Sequence, residues 1–114
     1  MCIRDVYGAD HPEVATDLNN LALLYRAQGR DGEAEPLYLR SLQIREQQLG
    51  ADHPSVAISL WNIAALYLSM GRLEDAKPII TRAVQIFEQR LGSDHPYTVG
   101  ARQWWQKIHG GAAE

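Results

Sequence analysis

The chain has 114 residues, 46% of them apolar and 22% charged, with a formal net charge of -3. That is one domain's worth of sequence, with the composition of a folded globular protein rather than a disordered one. The small negative charge leaves no basic face for nucleic acid and no polybasic run for an anionic membrane, so neither partner is expected.

No stretch approaches the roughly 18 consecutive apolar residues that a membrane-spanning helix needs. Cys2 is the only cysteine, which excludes an internal disulfide and a cysteine-based zinc site. The opening MCIRDVYGADHP carries charges where a signal peptide would need an apolar run. A soluble, cytoplasmic protein is the expectation.

In chain order the elements repeat. GADHP at Gly8–Pro12 returns at Gly50–Pro54, and GSDHP follows at Gly92–Pro96, each 42 residues after the last. Laying residues 8–49 over 50–91 without a gap makes about half the positions identical. A fixed period of this size is the signature of a stacked repeat protein.

Each unit holds two helical patterns. Leu18, Leu21, Ala22 and Tyr25 recur at steps of three and four, as do Leu60, Ile63, Ala64 and Tyr67, so each set forms one stripe of a helix. Gly29-Arg30 and Gly71-Arg72 then break the run, as left-handed caps do. A second pattern spans Asp31 to Leu49 and Leu73 to Leu91. Ala34, Tyr38, Ser41 and Leu42 face inward there, matched by Ala76, Ile80, Ala83 and Val84. Pro36 and Pro78 fall about one turn into these second helices, where proline removes a hydrogen bond and bends the axis, unless the helices start later, at the prolines. Short connections make the paired helices antiparallel. Nothing reads as a strand, and the fold class is all-α.

The DHP stretches read as punctuation. Asp10, Asp52 and Asp94 are expected as N-caps, with proline in the first turn, where its missing N–H costs nothing. Gly8, Gly50 and Gly92 close the preceding helix. His11, His53 and His95 fall in successive corners about 10 Å or more apart, given helix spacings of ~8–10 Å. Zinc needs its ligands about 2 Å from one ion, so no metal site is expected. A nucleophile with a placed base and a glycine-rich phosphate loop are both missing, so the chain is read as no enzyme and as using no cofactor.

Together these residues resemble the tetratricopeptide repeat. The stripe reads Leu18-x2-Leu21-Ala22-x2-Tyr25 with Ala34-x3-Tyr38, then Leu60-x2-Ile63-Ala64-x2-Tyr67 with Ala76-x3-Ile80. The 42-residue period, against roughly 34 in the common form, resembles the kinesin-light-chain type. The resemblance implies a right-handed superhelix, an α-solenoid of tandem antiparallel hairpins, whose first helices line a concave groove. Residues 8–49 and 50–91 are the two repeats. Residues 1–7 align with Gln43–Leu49 as the tail of a preceding second helix, so a piece of a longer array or a shortened chain is expected. Residues 92–114 form a C-terminal capping helix and short tail, with Arg102 and Gln106 replacing apolar stripe residues as a terminal cap requires.

Off the packing stripe but on the first helices, the groove is expected to present Asn19, Asn20, Leu23 and Arg26, then Trp61, Asn62 and Ala65, and finally Trp104. Asn20 and Asn62 share one mid-helix phase, where Asn is a middling helix former. In the resembled family such an amide pairs with the backbone of a bound peptide. The alternative is that it caps a neighbouring helix or bridges repeats. Trp61 is either an anchor for a partner or core between repeats. Trp104 belongs to the groove, the cap surface or a self-association contact, whereas Trp105 takes the Ile63 phase and should pack inward.

The leading function is a non-catalytic protein-interaction module that binds a peptide or partner helix in its groove. The second is a structural spacer or self-assembly scaffold within a larger repeat protein. Two repeats and a lone helix leave apolar surface to cover, so a homodimer through the terminal helices is expected.

Overall fold

The computed structural model describes residues 12–110. Among them are five helices and no strand: α1 (Pro12–Ala27), α2 (Asp31–Leu49), α3 (Pro54–Ser69), α4 (Leu73–Leu91) and α5 (Pro96–Gly110). Helix α1 packs on α2, α2 on α3, α3 on α4 and α4 on α5. The chain is therefore an all-α helical repeat solenoid, as the period implied. No described helix is long and apolar enough to cross a membrane.

The hairpin turns are built from the predicted glycines. Gly29 and Gly71 stand at φ 78° and 74°, the left-handed region that a Cβ disfavours. Gly29 N–H donates to Arg26 O at 3.0 Å and Arg30 N–H to Tyr25 O at 2.8 Å, which satisfies carbonyls left open at the end of α1. The same pair of bonds, Gly71 to Leu68 and Arg72 to Tyr67, closes α3. Gly50 and Gly92 cap α2 and α4, also at positive φ. Gly8 lies outside the described residues. Pro36 and Pro78 sit inside α2 and α4 on exposed surface.

The N-caps differ from expectation. Pro54 and Pro96 are the first helical residues, so the capping position falls on the histidine and not on the aspartate before it. His53 Nδ1 accepts a hydrogen bond from Ser55 N–H at 3.0 Å, and His95 Nδ1 accepts one from Tyr97 N–H at 3.0 Å. Asp52 and Asp94 are exposed. Asp10 lies outside the described residues.

The core follows the stripe where a neighbour exists to cover it. Helix α3 is flanked on both sides, and Val56, Leu60, Ile63, Ala64 and Leu66 are at most 1% exposed. Each such aliphatic chain contributes about 1.5–3 kcal/mol by leaving water. Truncating Leu66 to Ala would cost about 2–5 kcal/mol. At the same phase in α1, Leu21 and Leu24 are 39% and 53% exposed, because no described helix precedes α1. Ala34, Tyr38, Ser41, Ala76, Ile80 and Ala83 are buried as the pattern required, whereas Leu42 and Val84 are half-buried against the edge of the core.

One polar clasp joins the two hairpins at their turn ends. Tyr67 Oη donates to Glu35 at 2.9 Å, Arg72 donates to the other Glu35 oxygen at 2.9 Å, and the Arg72 guanidinium lies over the Tyr67 ring at 4.3 Å. Ser69 adds a 2.9 Å hydrogen bond to Asp31.

Candidate functional site

Helices α1, α3 and α5 stand side by side, with α2 and α4 behind them, and their shared face divides into two unlike halves. Between α1 and α3 the floor is polar. Asn62 Nδ2 donates to Asn19 Oδ1 at 3.2 Å, and Arg26 Nη2 donates to Ala65 O at 3.4 Å. Arg45 reaches forward from α2 to donate to Ser59 Oγ at 2.7 Å and Thr16 Oγ1 at 3.4 Å. Burial pulls its guanidinium below the ordinary arginine value. No described carboxylate lies within ion-pair distance of it.

Between α3 and α5 the same floor is aromatic. Phe87 occupies the Arg45 phase, and its ring meets Trp61 edge-on at 5.9 Å and Tyr97 at 5.8 Å. Trp61 lies against Gly100, where α5 presents no side chain. Trp104 takes the Asn62 phase, packs partly against the core, and carries the Lys107 ammonium 5.0 Å above its ring.

The expected groove residues are not equally available. Asn20 is exposed and Leu23 is 41% exposed, while Arg26, Trp61, Asn62 and Trp104 are half-buried. Asn19 at 9% and Ala65 at 7% are buried in the seam between α1 and α3. Asn62 thus bridges repeats through Asn19, and Trp61 packs between repeats while keeping one part open. Trp105 stays 37% exposed instead of packing inward, because nothing described covers that side of α5. Its Nε1–H donates to Thr81 Oγ1 at 2.9 Å, and its ring stacks on His109 at 4.1 Å.

Two contributors were missed in the sequence, Arg45 and Gly100. A signal for Arg45 was present. It interrupts a run of identities, with Gln43, Ile44, Glu46 and Gln47 matching Gln85, Ile86, Glu88 and Gln89, and exchanges a charge for Phe87. Gly100 had none, because its meaning depends on which ring crosses it.

The described residues hold no group of three His, Cys, Asp or Glu side chains that could share a metal ion. What the arrangement offers is hydrogen-bonding amides, a guanidinium whose described partners are two hydroxyls, and half-buried aromatic rings. These suit the recognition of another chain.

Comparison with known sequences gives the same repeat. The tetratricopeptide repeat family model matches residues 2–47, 18–89 and 55–103. No curated protein matches the chain. Matches that together run from residue 2 to residue 103, over a helical solenoid with the repeat's own turn chemistry, show that this chain belongs to the tetratricopeptide repeat family.

Proposed function

We propose that the face formed by α1, α3 and α5 is a non-catalytic groove for an extended peptide or partner helix. Tetratricopeptide repeats mediate protein–protein interactions, and that general role supports the reading. The observation that carries it is Arg45, a half-buried guanidinium whose described partners are two hydroxyls. A charge taken out of water gains most from a carboxylate, so the ligand carries an acidic group at the α1–α3 half. Trp61 and Trp104 offer ring surface to an apolar side chain at the other half. Asn20, Leu23, Arg26 and Asn62 complete the rim, and Asn19 and Ala65 hold the seam beneath it.

The finer classification belongs to the same proposal. The 42-residue period supports the kinesin-light-chain type, with repeats at 8–49 and 50–91. A second reading, self-assembly through the terminal helices, is favoured by the exposed Leu21 and Leu24 at one end of the stack.

The test is fluorescence anisotropy with short labelled peptides that carry one Glu at varied spacing from one Trp or Leu. Binding should weaken about ten- to a hundredfold when the peptide Glu becomes Gln, or when Arg45 becomes Gln, as expected for a lost charged hydrogen bond. Equal affinity for Glu and Gln peptides, or indifference to Arg45→Gln and Asn20→Ala, would overturn it.

A further inference from the structure

The two halves of the groove differ in a regular way. Six side chains form the polar floor between α1 and α3, and the 42-residue step replaces every one of them with an apolar residue between α3 and α5. Thr16, Arg45 and Ser59 give way to Ile58, Phe87 and Ala101. Asn19 and Asn62 give way to Trp61 and Trp104, and Arg26 to Leu68. About half of the positions in the two repeats are identical, so a complete exchange on the floor sets these positions apart from the rest of the chain.

The two floors are one helix spacing apart. Helices α1 and α3 are close enough for the 3.2 Å amide bond from Asn62 to Asn19, and α3 meets α5 where Trp61 lies against Gly100. Helices in such contact stand ~8–10 Å apart. A ligand chain crossing the first helices therefore meets Arg45 and then, about 8–10 Å further on, the aromatic floor.

That span selects a backbone. In a β-strand, side chains on one face recur at about 6.6 Å and about 13 Å, which miss it on either side. A polyproline II chain has three residues per turn and rises about 3.1 Å per residue, so residues i and i+3 share one face about 9.3 Å apart. An α-helix covers the same span in about seven residues, but it pairs its own backbone groups. Asn62 stands on the helix between the two floors and keeps one N–H and its Oδ1 with no described partner. A polyproline II backbone has unpaired carbonyls to offer that N–H.

We propose that the groove reads a peptide in the polyproline II conformation, with an acidic residue at Arg45 and a large apolar residue three positions away on Trp61 and Trp104. This rests on the groove reading above and adds the spacing and backbone form of the ligand. The six exchanged positions set which class of side chain each half accepts.

The test is fluorescence anisotropy with labelled peptides, acetylated and amidated so that no terminal charge imitates the acidic side chain. Glu-Pro-Pro-Leu should bind the unaltered protein about tenfold or more tighter than Glu-Pro-Leu or Glu-Pro-Pro-Pro-Leu, since only the first spacing lets both ends engage. It should also bind at least as tightly as Glu-Ala-Ala-Leu, because proline holds the backbone in the bound form. The triple variant Ile58→Thr, Phe87→Arg and Ala101→Ser carries the polar floor into the second half, and it should prefer Glu-Pro-Pro-Glu. Circular dichroism checks its fold; should it unfold, the spacing series on the unaltered protein decides alone. Equal affinity at every spacing, a tenfold loss on exchanging the alanines for prolines, or a folded triple variant that still prefers leucine overturns this inference while the groove stands. Equal affinity for Glu and Gln peptides at every spacing overturns the groove reading and this inference with it.

Discussion

The indole of Trp61 rests on Gly100 of the neighbouring hairpin with no room for a methyl group, since a β-carbon there would stand 2.7 Å from Cη2. Replacing Gly100 by Ala sets two effects against each other. Helix propensity favours Ala by about 1 kcal/mol, while overpacking a fitted ring costs about 1–3 kcal/mol. The ring is wedged between Phe87 and α5 and has little freedom to retreat. Gly100→Ala should therefore destabilise by about 1 kcal/mol in urea unfolding. In a Trp61→Phe background, which removes the clashing atoms, the same change should turn stabilising. The reversal of sign is the measurement that matters, because a purely local effect at residue 100 would keep its sign.

Tyr38 is 1% exposed, and its hydroxyl has no hydrogen-bond partner among the described residues. The equivalent position in the next hairpin is Ile80, so the ring is wanted there and the oxygen is not. Tyr38→Phe should gain about 1 kcal/mol by removing a buried, unsatisfied polar group, worth roughly 4–8 °C in a thermal melt of a domain this size. Burial, partly offset by nearby Arg26, raises the Tyr38 hydroxyl above its ordinary 10.0. Burial raises Tyr67 as well, reinforced by its bond to Glu35. Above pH 10 the unfolded chain ionises at these residues before the folded one does. The stability they contribute is thus complete below that pH and lost as pH rises through the folded values. Tyr38→Phe should move the midpoint of alkaline unfolding upward, as followed by circular dichroism.

The cap on α3 is a histidine, and the adjacent aspartate is a bystander. His53→Ala should cost about 0.5–2 kcal/mol, while His53→Asp, a good capping residue, should recover most of it. Asp52→Ala should change stability by less than about 0.5 kcal/mol, the ordinary range for an exposed site. Guanidinium denaturation of the three variants separates the two assignments. A large loss at Asp52 with none at His53 would reverse them.

Composition alone points to the aspartate, because Asp is a common cap. The proline next to the histidine held the better information. Proline favours the first helical position, which makes the residue before it the cap. Periodicity located all five described helices and their turns, since a repeat is read from spacing alone. Spacing also matched Leu21 with Ile63 and Asn19 with Trp61, yet these pairs have unlike surroundings. Burial depends on whether a neighbouring helix is present, and seam chemistry depends on which residue crosses over. The mismatch with Phe87 marks Arg45 in the sequence, but its place between hydroxyls, like that of Trp61 over Gly100, comes only from the three-dimensional pairing.

The Glu35 clasp has a mechanical consequence. Each hairpin touches only its neighbours, so bending of the whole stack concentrates at its joints. The first joint is fastened by Glu35 to Tyr67 and Arg72, with Asn19–Asn62 and Arg45–Ser59 deeper in. At the next joint the Glu35 register holds Lys77, which turns back to Glu74 on its own helix; edge-on and tilted rings fill the interior, and Arg102 of α5 pairs with Glu88 of α4. Dissolved ions screen partly exposed charges and leave ring packing nearly untouched. Ionic strength therefore weakens the ion pairs at both joints, Glu35–Arg72 at the first and Glu88–Arg102 at the second, while the ring packing gives the second joint a part that salt leaves in place.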